Sequence, residues 1–86
     1  MTFEEIYALV KQRKAEMPEG KSTTELFRKG VDGVGKKLVE EAAESWMAAE
    51  HEGPERTAEE ISQLLYQVQV LMLATGLRLD DVYKHL

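Results

Sequence analysis

Apolar side chains recur at helical spacing along most of the chain. Phe3, Ile6, Leu9 and Val10 lie on one face of a helix that should run to about Met17, opened by Thr2 with Glu5 three positions later as a capping box. Pro18-Glu19-Gly20 stops it. Ser22 and Glu25 repeat the capping pattern ahead of a short helix that carries Leu26 and Phe27 and ends at Gly30. Asp32 is then the expected N-cap of a long helix to about Glu52, with Leu38, Ala42, Trp46 and Ala49 on its buried side. After Gly53-Pro54, Thr57 with Glu60 makes a third capping pattern for a helix to about Thr75, closed by Gly76 in the left-handed conformation. That helix has an apolar face of Ile61, Leu64, Leu65, Val68, Leu71 and Met72, and a polar face of Glu59, Glu60, Gln63 and Gln67. A final short helix is expected after Leu79, anchored by Leu79, Val82 and Leu86. No stretch alternates like a strand, so the expected class is all-α.

Size sharpens this picture. With 86 residues, the chain is read as a single domain over residues 1–86, near the limit where one core suffices. The two long helices cannot cover their apolar faces and present carboxylates inward at the same time. A homodimer is therefore expected, with the helical hairpins of two copies forming an antiparallel, isologous four-helix-bundle core. Charge and composition then restrict the partners. A net charge of −5 argues against nucleic acid as the main ligand. The chain has no cysteine, which excludes disulfides, thiolate zinc sites and cysteine nucleophiles and fits a reducing cytoplasm. Its apolar runs are too short to span a membrane and no signal-peptide pattern opens it, so a cytoplasmic location is expected.

The chemistry concentrates between Lys36 and Glu44. At about 100° per residue, Glu40, Glu41 and Glu44 share an arc of roughly 100°. Such crowded charges require water or a cation, and a turn at Gly53-Pro54 would bring Glu59 and Glu60 toward them. Oxygen ligands from two antiparallel helices suit Mg²⁺, while the absence of His and Cys from the cluster disfavours zinc. Either acidic patch alone is equally explained as a solvated helix face. Lys37 lies one turn before the carboxylates, placed for an i,i+4 pair with Glu41 or for a phosphate. Ser22 to Thr24 can cap a helix or receive phosphate oxygens at its N-terminus. Gly30, Gly33 and Gly35 do not have dinucleotide-fingerprint spacing, and no strand precedes them.

Taken together, Glu41-x-x-Glu44 followed by Glu60-Ile61-Ser62-Gln63 resembles the all-α nucleoside-triphosphate pyrophosphohydrolase superfamily related to MazG, whose pattern is Glu-x-x-Glu then Glu-x-x-Asp. Within it, Ser22-Thr23-Thr24, Lys37 to Glu44, Glu59 to Tyr66 and Leu79 to Tyr83 resemble the phosphoribosyl-ATP pyrophosphatase family of histidine biosynthesis. The resemblance implies Mg²⁺-dependent, ATP-type nucleotide binding and cleavage between the α and β phosphates of phosphoribosyl-ATP, the second step of that pathway, in a form without a fused cyclohydrolase. It implies Glu41, Glu44, Glu60 and Gln63 as metal ligands; Lys36, Lys37, Ser22 and Thr24 are the candidates for contacts with the substrate phosphates. Glu40, adjoining the ligands, is the expected general base. Two positions depart from the pattern: Gln63 replaces an aspartate, leaving Glu59 as an alternative ligand, and Thr23 replaces the tyrosine of Ser-Tyr-Thr. Two other functions remain open, a housecleaning hydrolase of modified nucleoside triphosphates and a non-enzymatic helical dimerisation module.

Overall fold

Two long helices joined by only Glu52 and Gly53 dominate the computed structural model, which describes residues Met1–Leu86. The elements in order are α1 (Phe3–Glu16), α2 (Ser22–His51), α3 (Pro54–Ala74) and α4 (Leu79–Tyr83), with no strand, so the fold is all-α. No helix is long and apolar enough to cross a membrane. Helices α2 and α3 form an antiparallel hairpin, and α1 lies against both.

The first capping box forms as expected: Glu5 N–H donates to Thr2 Oγ1 at 3.1 Å, and Thr2 N–H to the Glu5 carboxylate at 2.7 Å. The next two do not. Lys21, not Ser22, is the N-cap of α2, and there is no side-chain cap because a lysine offers no acceptor while Ser22 lies one residue inside the helix. Thr24 Oγ1 donates to the Pro18 carbonyl at 2.7 Å, and Thr23 Oγ1 meets the Tyr66 hydroxyl at 2.6 Å. Helix α3 begins a turn before Thr57, at Pro54, whose fixed φ and missing N–H suit the first helical position. Gly53 supports this start at φ 88°, and Thr57 donates its hydroxyl to the Gly53 carbonyl at 2.7 Å.

The helix break expected at Gly30 occurs within α2 as a kink, with φ 77° and ψ −168° at that residue alone. The helix resumes directly, so Asp32 is not an N-cap. It sits in the helical stretch, exposed, and pairs with Lys36 at 3.2 Å. Gly76, at φ 78°, follows the end of α3 in the expected left-handed conformation.

The core is small. Val10, Val34, Val70 and Leu73 are buried together, ringed by Ile6, Tyr7, Leu26, Phe27, Tyr66, Leu71 and Ala74. Side chains also fasten helix to helix through main-chain carbonyls. Gln69 Nε2 donates to Phe3 O at 2.9 Å, Lys14 Nζ to Leu73 O at 2.6 Å, and the Tyr7 hydroxyl to Leu77 O at 3.0 Å.

The inward and outward sides of α2 differ from the sequence expectation. Val34, Glu41, Ser45 and Ala48 are buried, whereas Trp46 is 69% exposed and Ala42 and Ala49 are also outside. Val31, Val39, Trp46 and Met47 lie on a solvent-facing arc of roughly 160° on the helical wheel. Small residues at 45 and 48 let α2 approach α3 closely, and this closeness leaves the bulky apolar side outward. On α3, Ile61 and Leu65 are exposed, while Leu71 packs against the core and Gln67 is buried. Leu79 and Val82 of the last helix are partly buried, but Leu86 is 98% exposed and anchors nothing.

Candidate metal centre and adjoining cleft

Where α2 and α3 run side by side, their facing turns carry carboxylates. Glu41 lies on the inward side of α2, its side chain only 7% exposed. Glu44 follows one turn later, and Glu60 approaches from α3. Carboxylate oxygens of Glu41, Glu44 and Glu60 all lie within 4.8 Å of one another. Glu40 is not part of this group. It points to solvent one residue round the helix, with its carboxylate 3.5 Å from Lys37 Nζ.

Two cations balance the cluster from its flanks. Lys37 Nζ lies 3.2 Å from Glu41 Oε1, and Glu41 first, then Glu40, holds the ammonium in its charged form by raising its pKa. Arg56 donates to Glu60 Oε1 at 2.7 Å and to Glu59 at 2.6 Å. Glu59 is thus engaged by Arg56 and exposed, outside the three-carboxylate group.

The remaining oxygens are not all satisfied. Glu41 Oε2 is buried and has no hydrogen-bond partner. The Glu44 carboxyl is pushed above its ordinary pKa, first by its hydrogen bond with Glu60, which favours a shared proton, and then by the Glu41 charge. A buried oxygen without a donor, beside two further carboxylates within 4.8 Å, is a donor set that fits a hard divalent cation. All three groups present oxygen, and neither sulfur nor imidazole is among them.

Beside this centre, the kink of α2 opens a cleft of about 800 Å³ whose lining includes Ser22, Lys29, Lys36, Lys37, Glu40 and Gln67. Four of the sequence-derived residues, Ser22, Lys36, Lys37 and Glu40, therefore share one cavity, and Lys37 links it to the carboxylates. Thr24 departs from its expected place: it is fully buried and its hydroxyl is committed to Pro18 O, so it offers no donor to the cleft. Gln63, one turn beyond Glu60, is exposed and lines a separate groove with Ser22, Thr23, Tyr66 and Gln67.

Three residues of this region did not stand out in the sequence. Arg56 precedes Glu60 by four positions, and the i,i+4 pairing rule would have found it. Lys29 lines the cleft just before the bend at Gly30, and its spacing from the carboxylates gave no signal. Gln67 shares a helix face with Glu60, seven positions apart, and that face turns inward rather than to solvent. A family model described as phosphoribosyl-ATP pyrophosphohydrolase matches residues 3–86.

Proposed function

The chain belongs to the phosphoribosyl-ATP pyrophosphohydrolase family of histidine biosynthesis, and from that membership we propose that it hydrolyses phosphoribosyl-ATP to phosphoribosyl-AMP and pyrophosphate with Mg²⁺. The observation that carries this reading is the orphaned buried oxygen of Glu41, one of three grouped carboxylates at the edge of a cleft lined by Lys29, Lys36 and Lys37 as well as Glu25, Asp32 and Glu40. Glu41, Glu44 and Glu60 would hold the ion, and Gln63 offers a neutral amide oxygen from the next turn of α3. Bound Mg²⁺ supplies charge neutralisation of the phosphates and of the transition state.

The chain's own groups then have distinct tasks. Lys36 and Lys37 bind phosphate oxygens, with Lys29 and the Ser22 hydroxyl on the same cleft wall. Arg56 fixes Glu60 by donating to one of its oxygens, and the second oxygen remains for an ion. Glu40 lies outside the ligand group but inside the cleft, where its carboxylate can accept a proton from the water that attacks the α phosphorus. That attack forms the new P–O bond as the α–β bridging bond breaks, and pyrophosphate leaves.

Residues 1–86 would act as one domain, working in the cytoplasm as a homodimer. Support for the dimer comes from α2, which buries a glutamate and exposes Val39, Trp46 and Met47. Purified chain should release pyrophosphate from phosphoribosyl-ATP only with Mg²⁺, and do so far faster than from a panel of nucleoside triphosphates. Preference for a modified nucleoside triphosphate would favour the housecleaning reading, which gains some support from Gln63 and Thr23, the two departures from the family pattern. No pyrophosphate from any substrate would leave a non-enzymatic module.

A further inference from the structure

The lysine-lined cleft also holds an amide with no task in the chemistry above. Gln67 is only 6% exposed, and its oxygen is buried without a hydrogen-bond partner. An unpaired buried amide is unfavourable, whereas an apolar side chain of similar length would fill the position without that cost. Its place is specific. Gln67 lines the cleft that contains Lys29, Lys36 and Lys37, and with Ser22 it also borders the neighbouring groove of about 360 Å³, so it stands in the wall between them. A carboxamide carries its acceptor oxygen and donor nitrogen side by side, so one side chain can meet a donor and an acceptor on a single ligand edge.

Lysine ammonium groups bind phosphates but do not distinguish one base from another. A carboxamide does: its paired donor and acceptor match the N6–H and N7 edge of adenine. We propose that Gln67 is a specificity-determining residue that reads this edge of an adenine nucleotide whose phosphates lie on the cleft lysines. Leu26, the one hydrophobic residue lining the cleft, provides an apolar surface for the base. The inference rests on the nucleotide reading given above and extends it to the base. In phosphoribosyl-ATP the second ribose is attached at N1, which leaves the N6/N7 edge free.

The test uses the full chain with Mg²⁺ and calorimetric titration of ATP and 7-deaza-ATP, which have the same phosphates and differ at N7. Wild-type protein should bind ATP roughly tenfold more tightly, the scale of one hydrogen bond to a buried group. In Gln67→Met this ratio should fall to about one, while affinity for inorganic triphosphate is unchanged. Purine riboside triphosphate, which lacks the 6-amino group, tests the other half of the edge in the same way. Equal wild-type affinities for ATP and 7-deaza-ATP, no binding of ATP, or a ratio that survives in Gln67→Met would each overturn the proposal. The wild-type ratio needs no variant, so a misfolded Gln67→Met leaves the decision intact. Failure to release pyrophosphate from phosphoribosyl-ATP would overturn the reaction but not the base reading, and a ratio of one would do the reverse.

Discussion

Trp46 provides the sharpest test of assembly, because it is the only tryptophan in the chain and 69% of it is exposed in a single copy. A tryptophan side chain presents about 250 Å², so roughly 170 Å² remains for a second copy to cover. At about 25 cal/mol per Å², covering all of it corresponds to about 4 kcal/mol per protomer, or about 8 kcal/mol in a symmetric dimer. Incomplete coverage and the methyl group retained by alanine reduce this to roughly half. Trp46→Ala should therefore weaken dimerisation by about 4 kcal/mol, on the order of a thousandfold in Kd. The folded monomer should lose little, since this side chain lies outside the core cluster. Sedimentation equilibrium measures the dissociation constant of both proteins, and far-ultraviolet circular dichroism checks that helicity is retained. In wild type the same residue is its own reporter, so tryptophan emission should move to longer wavelength on dilution through the dissociation constant. A Trp46→Ala dissociation constant within threefold of wild type, or a water-exposed emission that does not change with concentration, would refute the reasoning.

Other outcomes follow from the centre and the caps. Glu44→Gln should abolish Mg²⁺-dependent turnover, read as pyrophosphate release; near-wild-type activity would remove Glu44 from the site. The same variant has a stability signature without metal. The raised pKa of Glu44 means that its contribution is fully present below the ordinary carboxylate value and is lost as pH rises through the folded value, so at neutral pH the glutamine variant should be as stable as wild type or more so in urea unfolding. Gln63→Asp should tighten Mg²⁺ binding in a calorimetric titration by adding a charged oxygen beside Glu60, and unchanged affinity would place residue 63 outside the ligand shell. Thr2→Ala should cost about 1 kcal/mol at neutral pH through loss of the capping box. Glu5, its partner, has a lowered pKa, caused first by the hydrogen bond from the Thr2 backbone, so this stabilisation is present above the ordinary carboxylate value and fades as pH falls through the lowered one. That bond comes from the Thr2 main-chain N–H, which alanine keeps, so it is the urea midpoint of Glu5→Gln that should converge with wild type in acid, and a constant gap would contradict the assignment.

Periodicity made the helices legible, because four turns or more of spaced apolar residues outweigh local ambiguity. Their starts were less so. Ser22 and Thr57 carry cap chemistry, but Pro54 and Gly53 start α3 a turn earlier and Thr23 and Thr24 use their hydroxyls in tertiary bonds, which no local pattern reveals. Helix geometry and a tight turn brought Glu40, Glu41 and Glu44 toward Glu59 and Glu60, and the family resemblance singled out Glu41, Glu44 and Glu60, the three that the fold groups. Glu40 was drawn into the same arc because a 100° sector is wider than the contact between two helices. The inversion of α2 was hidden for a related reason. The bulky apolar side was read as the inward one, but the burial of Ser45 and Ala48 in place of Trp46 is set by how closely α3 approaches. Gln67 looked like surface for want of an aromatic or aliphatic group, yet it is nearly enclosed.

The three bonds that fasten α1 through main-chain carbonyls have an uneven effect on sequence freedom. Gln69, Lys14 and Tyr7 supply side-chain donors, but their acceptors at Phe3, Leu73 and Leu77 are main-chain carbonyls, which every amino acid possesses. Substitution at the acceptor positions leaves each of these bonds chemically available, whereas substitution at a donor deletes one outright. Each bond can thus tolerate drift at its acceptor while remaining exacting at its donor. Among variants selected only for folding, residues 7, 14 and 69 should retain hydrogen-bond donors, and the identities of residues 3, 73 and 77 should be restricted by packing alone.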